Sequence, residues 1–167
     1  MDGRILIVDD DITLVSILKD TLETVDFDVD FAYNVADGKE KLQSKEFDVA
    51  IVDLHMPEVD GFALLEWMAD NSTVIPIVLS GTSSIEEAVS AVRRDAFDFV
   101  IKPVTDFDVF FQRLQRAVDY RRVVTSRDQL LVQLQAKTAE LANRLEQLSL
   151  AHKTLKAHAM AVQSDLV

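Results

Sequence analysis

The sequence predicts an α/β domain, five parallel strands alternating with helices, followed by one long C-terminal helix. Three observations carry this. Short apolar runs such as Ile5–Val8, Val49–Val52 and Phe99–Ile101 read as strands buried on both faces. Stretches with helical spacing separate them. Beyond Asp106 no strand pattern recurs, and no Pro or Gly occurs between Pro103 and Val167.

In chain order, Ile5–Val8 is the first strand. Thr13–Val25 follows as a helix: Leu14, Val15, Leu18, Leu22 and Val25 share one side, and Lys19, Asp20 and Glu23 lie off it. Phe27–Tyr33 alternates Phe27, Val29, Phe31 and Tyr33 with Asp28, Asp30 and Ala32, as a strand nearer a sheet edge does. Residues 35–45 form a polar helix. Phe47–Val52 is the second buried run. His55 to Gly61 contains Pro57 and Gly61 and reads as a loop. Phe62–Ala69 is helical, Val74–Leu79 is a strand, and Ser84–Arg94 is a helix capped by Ser83 or Ser84. Ala96–Ile101 is the last strand. Strands and helices in alternation make a parallel sheet with helices on both faces.

Composition agrees with one domain plus an appendage: 167 residues, 49% apolar and 28% charged, enough for a core. There is no cysteine, so disulfides are excluded and a reducing cytoplasm is the expected setting. Met1-Asp2-Gly3-Arg4 runs straight into a strand and is no signal peptide, and no apolar run reaches membrane-spanning length. The net charge of −12 is uneven. Residues 1–120 hold 10 Lys/Arg and 25 Asp/Glu, a balance of −15, whereas residues 121–167 hold 7 and 4, a balance of +3. An acidic body argues against broad contact with nucleic-acid phosphates.

The C-terminal helix has a seam. Leu131, Leu134, Thr138, Leu141, Leu145, Leu148, His152, Leu155, Ala159, Val162 and Leu166 recur at steps of three and four. With Leu131 at position a, Leu134, Leu141, Leu148 and Leu155 fall at successive d positions, as in parallel two-stranded coils. A helix of the 47 residues from Arg121 would extend roughly 70 Å and cannot hide its stripe against a small body. The expectation is a domain over residues 1–120 and a coiled-coil helix over 121–167 that pairs with a second copy. Thr138 and His152 are tolerated polar positions that could fix register.

The ends of three runs carry the chemistry. Ile5–Val8 leads into Asp9-Asp10-Asp11, Val49–Val52 into Asp53, and Phe99–Ile101 into Lys102-Pro103. In an open parallel sheet, functional groups collect beyond the carboxyl ends of the strands. Carboxylates there suit Mg²⁺ (or Mn²⁺), which prefers oxygen ligands and bridges carboxylates to phosphate. A carboxylate can also attack phosphorus, and a lysine can neutralise phosphoryl oxygens. Ser80, after Val74–Leu79, brings a hydroxyl to the same edge. Taken alone, Asp9–Asp11 reads equally well as a solvated strand end with a helix cap; a plain turn residue is the lesser reading of Ser80, and Phe99 is at least partly core.

Together, Ile7-Val8-Asp9-Asp10, Asp53-Leu54-His55-Met56-Pro57 with Asp60-Gly61, Val78-Leu79-Ser80-Gly81 and Phe99-Val100-Ile101-Lys102-Pro103 resemble the receiver domain of two-component response regulators over about residues 3–120. The resemblance implies a flavodoxin-like sheet of order 2-1-3-4-5. It implies Asp53 as phosphoacceptor, Asp10 as direct metal ligand, Asp9 as its partner, and the backbone carbonyl of His55 as a third protein ligand. Ser80 and Phe99 correspond to the switch positions and Lys102 to the lysine of the motif, with a cis Lys102–Pro103 bond. It further implies a histidine kinase or phosphotransfer protein as phosphodonor, and no enzymatic turnover beyond slow self-phosphorylation and self-dephosphorylation. Ala96 stands where the family often has Gly. His55 and Thr82 occupy positions that tune phosphate lifetime in such domains.

The reading is a phosphoaccepting receiver that relays through a dimeric coil to an output domain downstream. The alternatives are a free-standing receiver and coil acting as an adaptor, and an aspartyl-nucleophile, metal-dependent phosphohydrolase. The last usually carries an Asp two residues after its nucleophile, where this chain has His55.

Overall fold

The computed structural model describes residues 2–164, and side chains through residue 161. Ile5, Leu6, Ile7 and Val8 are all fully buried within β1 (Gly3–Val8), which explains why the run is apolar without alternation. Ile5 and Ile7 join one core layer, and Leu6 and Val8 join the other. β3 (Val49–Asp53) repeats the division, with Val49 and Ile51 on the first side and Ala50 and Val52 on the second. Each fully buried aliphatic contributes about 1.5–3 kcal/mol over leaving it in water.

The remaining strands are β2 (Phe27–Ala32), β4 (Ile75–Ser80) and β5 (Asp98–Ile101), all parallel to their neighbours. Their order, β2-β1-β3-β4-β5, is the expected flavodoxin-like one. α1 (Ile12–Glu23) covers the first layer with Val15, Leu18 and Leu22. α5 (Phe107–Ser164) adds Phe110, Leu114, Ala117 and Val118 to that layer. α2 (Val35–Ser44), α3 (Gly61–Asn71) and α4 (Ile85–Val92) cover the other face through Val35, Leu64, Leu65, Met68 and Ala91.

Element ends differ from the sequence expectation where backbone turns intervene. α1 stops at Glu23 rather than Val25, because the Val25 and Asp26 N–H groups bond back to the Leu22 and Glu23 carbonyls and Asp26 turns to φ 67°. β5 begins at Asp98 rather than Ala96, because the Ala96 N–H is bonded to the Ala91 carbonyl. The left-handed residue in that turn is Asp95 (φ 61°), so Ala96 meets no steric demand for glycine. Ser84, not Ser83, caps α4, accepting from the Glu87 N–H.

The chain divides into one compact unit ending at Val123 and a second beginning at Val124. Within the first, Arg122 pairs with Asp2 at 3.1 Å and Arg121 donates to Thr73 at 2.7 Å. In the second, the seam leucines from Leu131 to Leu155 are half-exposed or more, and Glu140 pairs with Lys137 and Arg144. The seam positions Val162, for its side chain, and Leu166 lie outside the described residues. No helix among the described residues is long and apolar enough to cross a membrane.

Candidate functional site

Parallel register brings the strand ends to one edge. Val8 is level with Val52, Asp53 with Leu79, and Ser80 with Ile101. Asp9, Asp53, Ser80 and Lys102 therefore emerge side by side although they lie far apart in sequence. The loops that follow are fixed locally. Asp11 caps α1 by accepting from the Thr13 and Leu14 N–H groups, and Asp9 Oδ1 accepts from the Asp11 N–H at 2.9 Å. Asp60 caps α3. The Lys102 N–H donates to the Ser80 carbonyl at 2.7 Å, and the Lys102–Pro103 bond is cis.

Asp9 and Asp53 are buried, and Asp10 is exposed beside them. One carboxylate oxygen from each of the three lies within 4.8 Å of the others. The Lys102 ammonium stands 2.7 Å from Asp9 Oδ2 and 3.2 Å from Asp53 Oδ1. One ammonium thus serves as the ion-pair partner of two buried carboxylates. Burial pushes the Asp9 carboxyl above the usual carboxylate range, against the pull of Lys102. Burial also works against the Lys102 ammonium, but Asp9 and Asp53 outweigh it and hold Lys102 above the usual lysine range.

Three carboxylates whose oxygens converge within 4.8 Å, two of them buried and sharing one lysine, are a donor set for a hard divalent cation. Such an ion would supply the positive charge that Lys102 alone spreads over two carboxylates. The residues present therefore fit Mg²⁺ or Mn²⁺.

Other expected site residues are placed differently. Ser80 is fully buried, and its hydroxyl donates to Glu87 Oε2 at 3.2 Å. Thr82 donates to the same oxygen, and His55 Nε2 lies 3.2 Å from Glu87 Oε1. The Thr82 hydrogen bond foremost holds the Glu87 carboxyl below its usual range, with burial opposing and the His55 charge assisting. The His55 side chain is half-exposed and engaged by Glu87. Phe99, level with Val78, packs half-buried against the layer that contains Ala91. The structure thus joins Asp9, Asp10, Asp53 and Lys102, sets Ser80 next to them but bonded elsewhere, and leaves Phe99 on the sheet face. Sequence reasoning missed Glu87. Its only local signal is the Ser84-x-x-Glu87 spacing, which reads as an ordinary helix cap.

Residues 5–115, more than half of the chain, match the family model of the response regulator receiver domain. The chain belongs to the response regulator receiver domain family. Receiver domains bind Mg²⁺ at an acidic pocket and typically serve as phosphoacceptors rather than enzymes. Among its relatives, the transcriptional regulatory protein ZraR of Salmonella typhimurium is 36% identical over 119 residues, 71% of this chain and 27% of that protein. The DNA-binding transcriptional regulator NtrC of Escherichia coli K12 is 33% identical over 119 residues, 71% of this chain and 25% of that protein. The chain thus spans about a quarter of the length of the curated relatives it matches. A CheY-like receiver domain from Methanospirillum hungatei superposes with a TM-score of 0.67 at 28% identity, covering 73% of this chain and 98% of that one. The response regulator TrrA of Thermotoga maritima, solved in complex with Mg²⁺ and BeF, superposes with a TM-score of 0.62 at 25% identity, covering 68% and 97%.

Proposed function

We propose that Asp53 of this receiver accepts a phosphoryl group from a histidine kinase or phosphotransfer protein. The observation that carries the reading is the pair of buried carboxylates, Asp9 and Asp53, sharing the single ammonium of Lys102 at 2.7 and 3.2 Å with the Asp10 carboxylate beside them. An Asp53 oxygen forms the new bond to phosphorus, and the bond from phosphorus to the donor's imidazole nitrogen breaks. Such transfer depends on positioning and on charge stabilisation more than on proton chemistry. Lys102 lies 3.2 Å from Asp53, which supports a role in neutralising a phosphoryl oxygen there. Asp9, Asp10 and Asp53, with the His55 backbone carbonyl, would hold Mg²⁺ or Mn²⁺. When bound, the ion supplies charge neutralisation for the phosphoryl oxygens. Ser80 is the switch hydroxyl, and Phe99 repacks on the sheet face when Ser80 moves.

The output step is carried by α5. Leu134, Leu141, Leu148 and Leu155 are 52–71% exposed on a single chain, which is what an unpaired d stripe looks like. A parallel dimer through this seam would pass the receiver's state to a downstream domain. The adaptor reading shares the same seam.

The test is phosphorylation by acetyl phosphate with and without Mg²⁺, on wild type and Asp53→Asn. One phosphoryl per wild-type chain, dependent on Mg²⁺ and absent from the variant, is expected. Equal labelling of the variant would overturn the assignment. Steady multiple turnover of a phosphomonoester, abolished by Asp53→Asn, would favour the phosphohydrolase instead.

A further inference from the structure

Glu87 sits in the first turn of α4 at the third position after the Ser84 cap. A carboxylate there ordinarily reaches back to the cap residue's own N–H. Here the Glu87 N–H is bonded to Ser84 Oγ, but its carboxylate turns to three groups outside the helix. Oε2 accepts from the Ser80 hydroxyl at 3.2 Å and from the Thr82 hydroxyl, and Oε1 faces His55 Nε2 at 3.2 Å. These donors come from the end of β4, the loop after it and the loop after β3. The Glu87 side chain is 23% exposed, so the contacts are partly shielded from water.

We propose that Glu87 is a positioning residue for the phosphoryl switch, holding the Ser80 hydroxyl in the unphosphorylated receiver and competing for it with the phosphoryl group. The proposal rests on Asp53 as the phosphoacceptor. A serine hydroxyl has one proton and serves one strong acceptor at a time. Ser80 is fully buried, so its hydroxyl cannot turn to bulk water instead. Drawing Ser80 to a phosphoryl oxygen therefore breaks its bond to Glu87 and frees one tie on the first turn of α4. By linkage, whatever strengthens the Glu87–Ser80 bond weakens phosphoryl-group binding by the same factor.

The test is the affinity of the wild-type chain for beryllofluoride with Mg²⁺, compared with Glu87→Gln, Ser80→Ala and the double variant, by calorimetric titration. Glutamine keeps the length of the side chain and removes its charge. Glu87→Gln is expected to bind about tenfold more tightly, because a hydrogen bond to a charged acceptor no longer opposes the rearrangement. Loss of a negative charge alone would also tighten binding of an anion. The double variant separates the two effects. In the Ser80→Ala background the Glu87→Gln substitution is expected to change affinity less than about twofold. Equal tightening in both backgrounds, or no tightening in either, overturns the proposal. Failure of the underlying reading looks different. Wild type would then bind no beryllofluoride, or Asp53→Asn would bind it equally well, and the role of Glu87 would fall with that of Asp53.

Discussion

Gly61 packs so closely on Asp53 that a Cβ at position 61 would stand 2.0 Å from the Asp53 carbonyl oxygen. The Gly61 N–H also bonds to the Leu54 carbonyl at 3.0 Å, which clamps the loop after β3 onto the strand end. Its φ is not positive, so the requirement is for space rather than for a left-handed backbone. Gly61→Ala must displace backbone, and a loss of about 2–4 kcal/mol is expected in urea unfolding. The start of α3 shifts with it, so phosphorylation by acetyl phosphate should slow as well. An alanine variant of wild-type stability would contradict the clamp.

Lys102 is the counter-charge for two buried carboxylates. Removing it leaves Asp9 and Asp53 facing each other without compensation. Lys102→Met is expected to cost about 2–4 kcal/mol at pH 7 in metal-free buffer. Saturating Mg²⁺ should recover part of that loss, because the variant, relieved of the competing ammonium, is expected to bind the ion more tightly than wild type and so gains more from it by mass action. Unfolding curves with and without Mg²⁺ check this. Equal loss in both conditions would argue against a cation among Asp9, Asp10 and Asp53.

Asp30 provides a pH signature away from the site. Burial would raise its pKa, but hydrogen bonds from Lys41 and Lys45 outweigh that and hold it down at about 2. A carboxyl depressed below its ordinary value of 3.8 contributes stability that is present above that value and lost as pH falls toward 2. The side chain is 23% exposed, and solvent screening reduces the contribution to on the order of 1 kcal/mol. Asp30→Asn should therefore be less stable than wild type by that amount at pH 7, and the gap should close between pH 4 and pH 2. A gap independent of pH would contradict the pairing with Lys41 and Lys45.

The proposed coil makes a separate prediction. Leu141 is 52% exposed in one chain, so Leu141→Asp removes little that a monomer buries. The variant should sediment as a monomer where wild type sediments as a dimer, while the melting of the first unit changes by less than about 0.5 kcal/mol. Wild type that is monomeric at all concentrations would dismiss the paired seam.

Most of the fold was legible because β1 and β3 are buried on both faces and must be apolar throughout, and because α1 shows its stripe of Val15, Leu18 and Leu22. The meeting of Asp9, Asp53 and Lys102 was legible for the same reason, since parallel strands end at one edge. Strand and helix ends were less so. Asp26 and Asp95 adopt left-handed backbone that aspartate tolerates, and neither carries the glycine that would have marked the turn. The Glu87 contacts were hidden because His55 and Ser80 lie 32 and 7 residues away, with no periodicity linking them. The Ser84-x-x-Glu87 spacing offered a local explanation that the carboxylate does not follow.

Site-resolved chemistry tests the central claim most directly. An acyl phosphate on an aspartate is reduced by borohydride to homoserine, and peptide mass mapping then locates the modified residue. Wild type treated with acetyl phosphate and Mg²⁺ should yield homoserine at position 53 and at neither Asp9 nor Asp10. Homoserine at position 9 or 10, or a label on Ser80 that borohydride leaves untouched, would contradict the assignment of Asp53 as the phosphoacceptor.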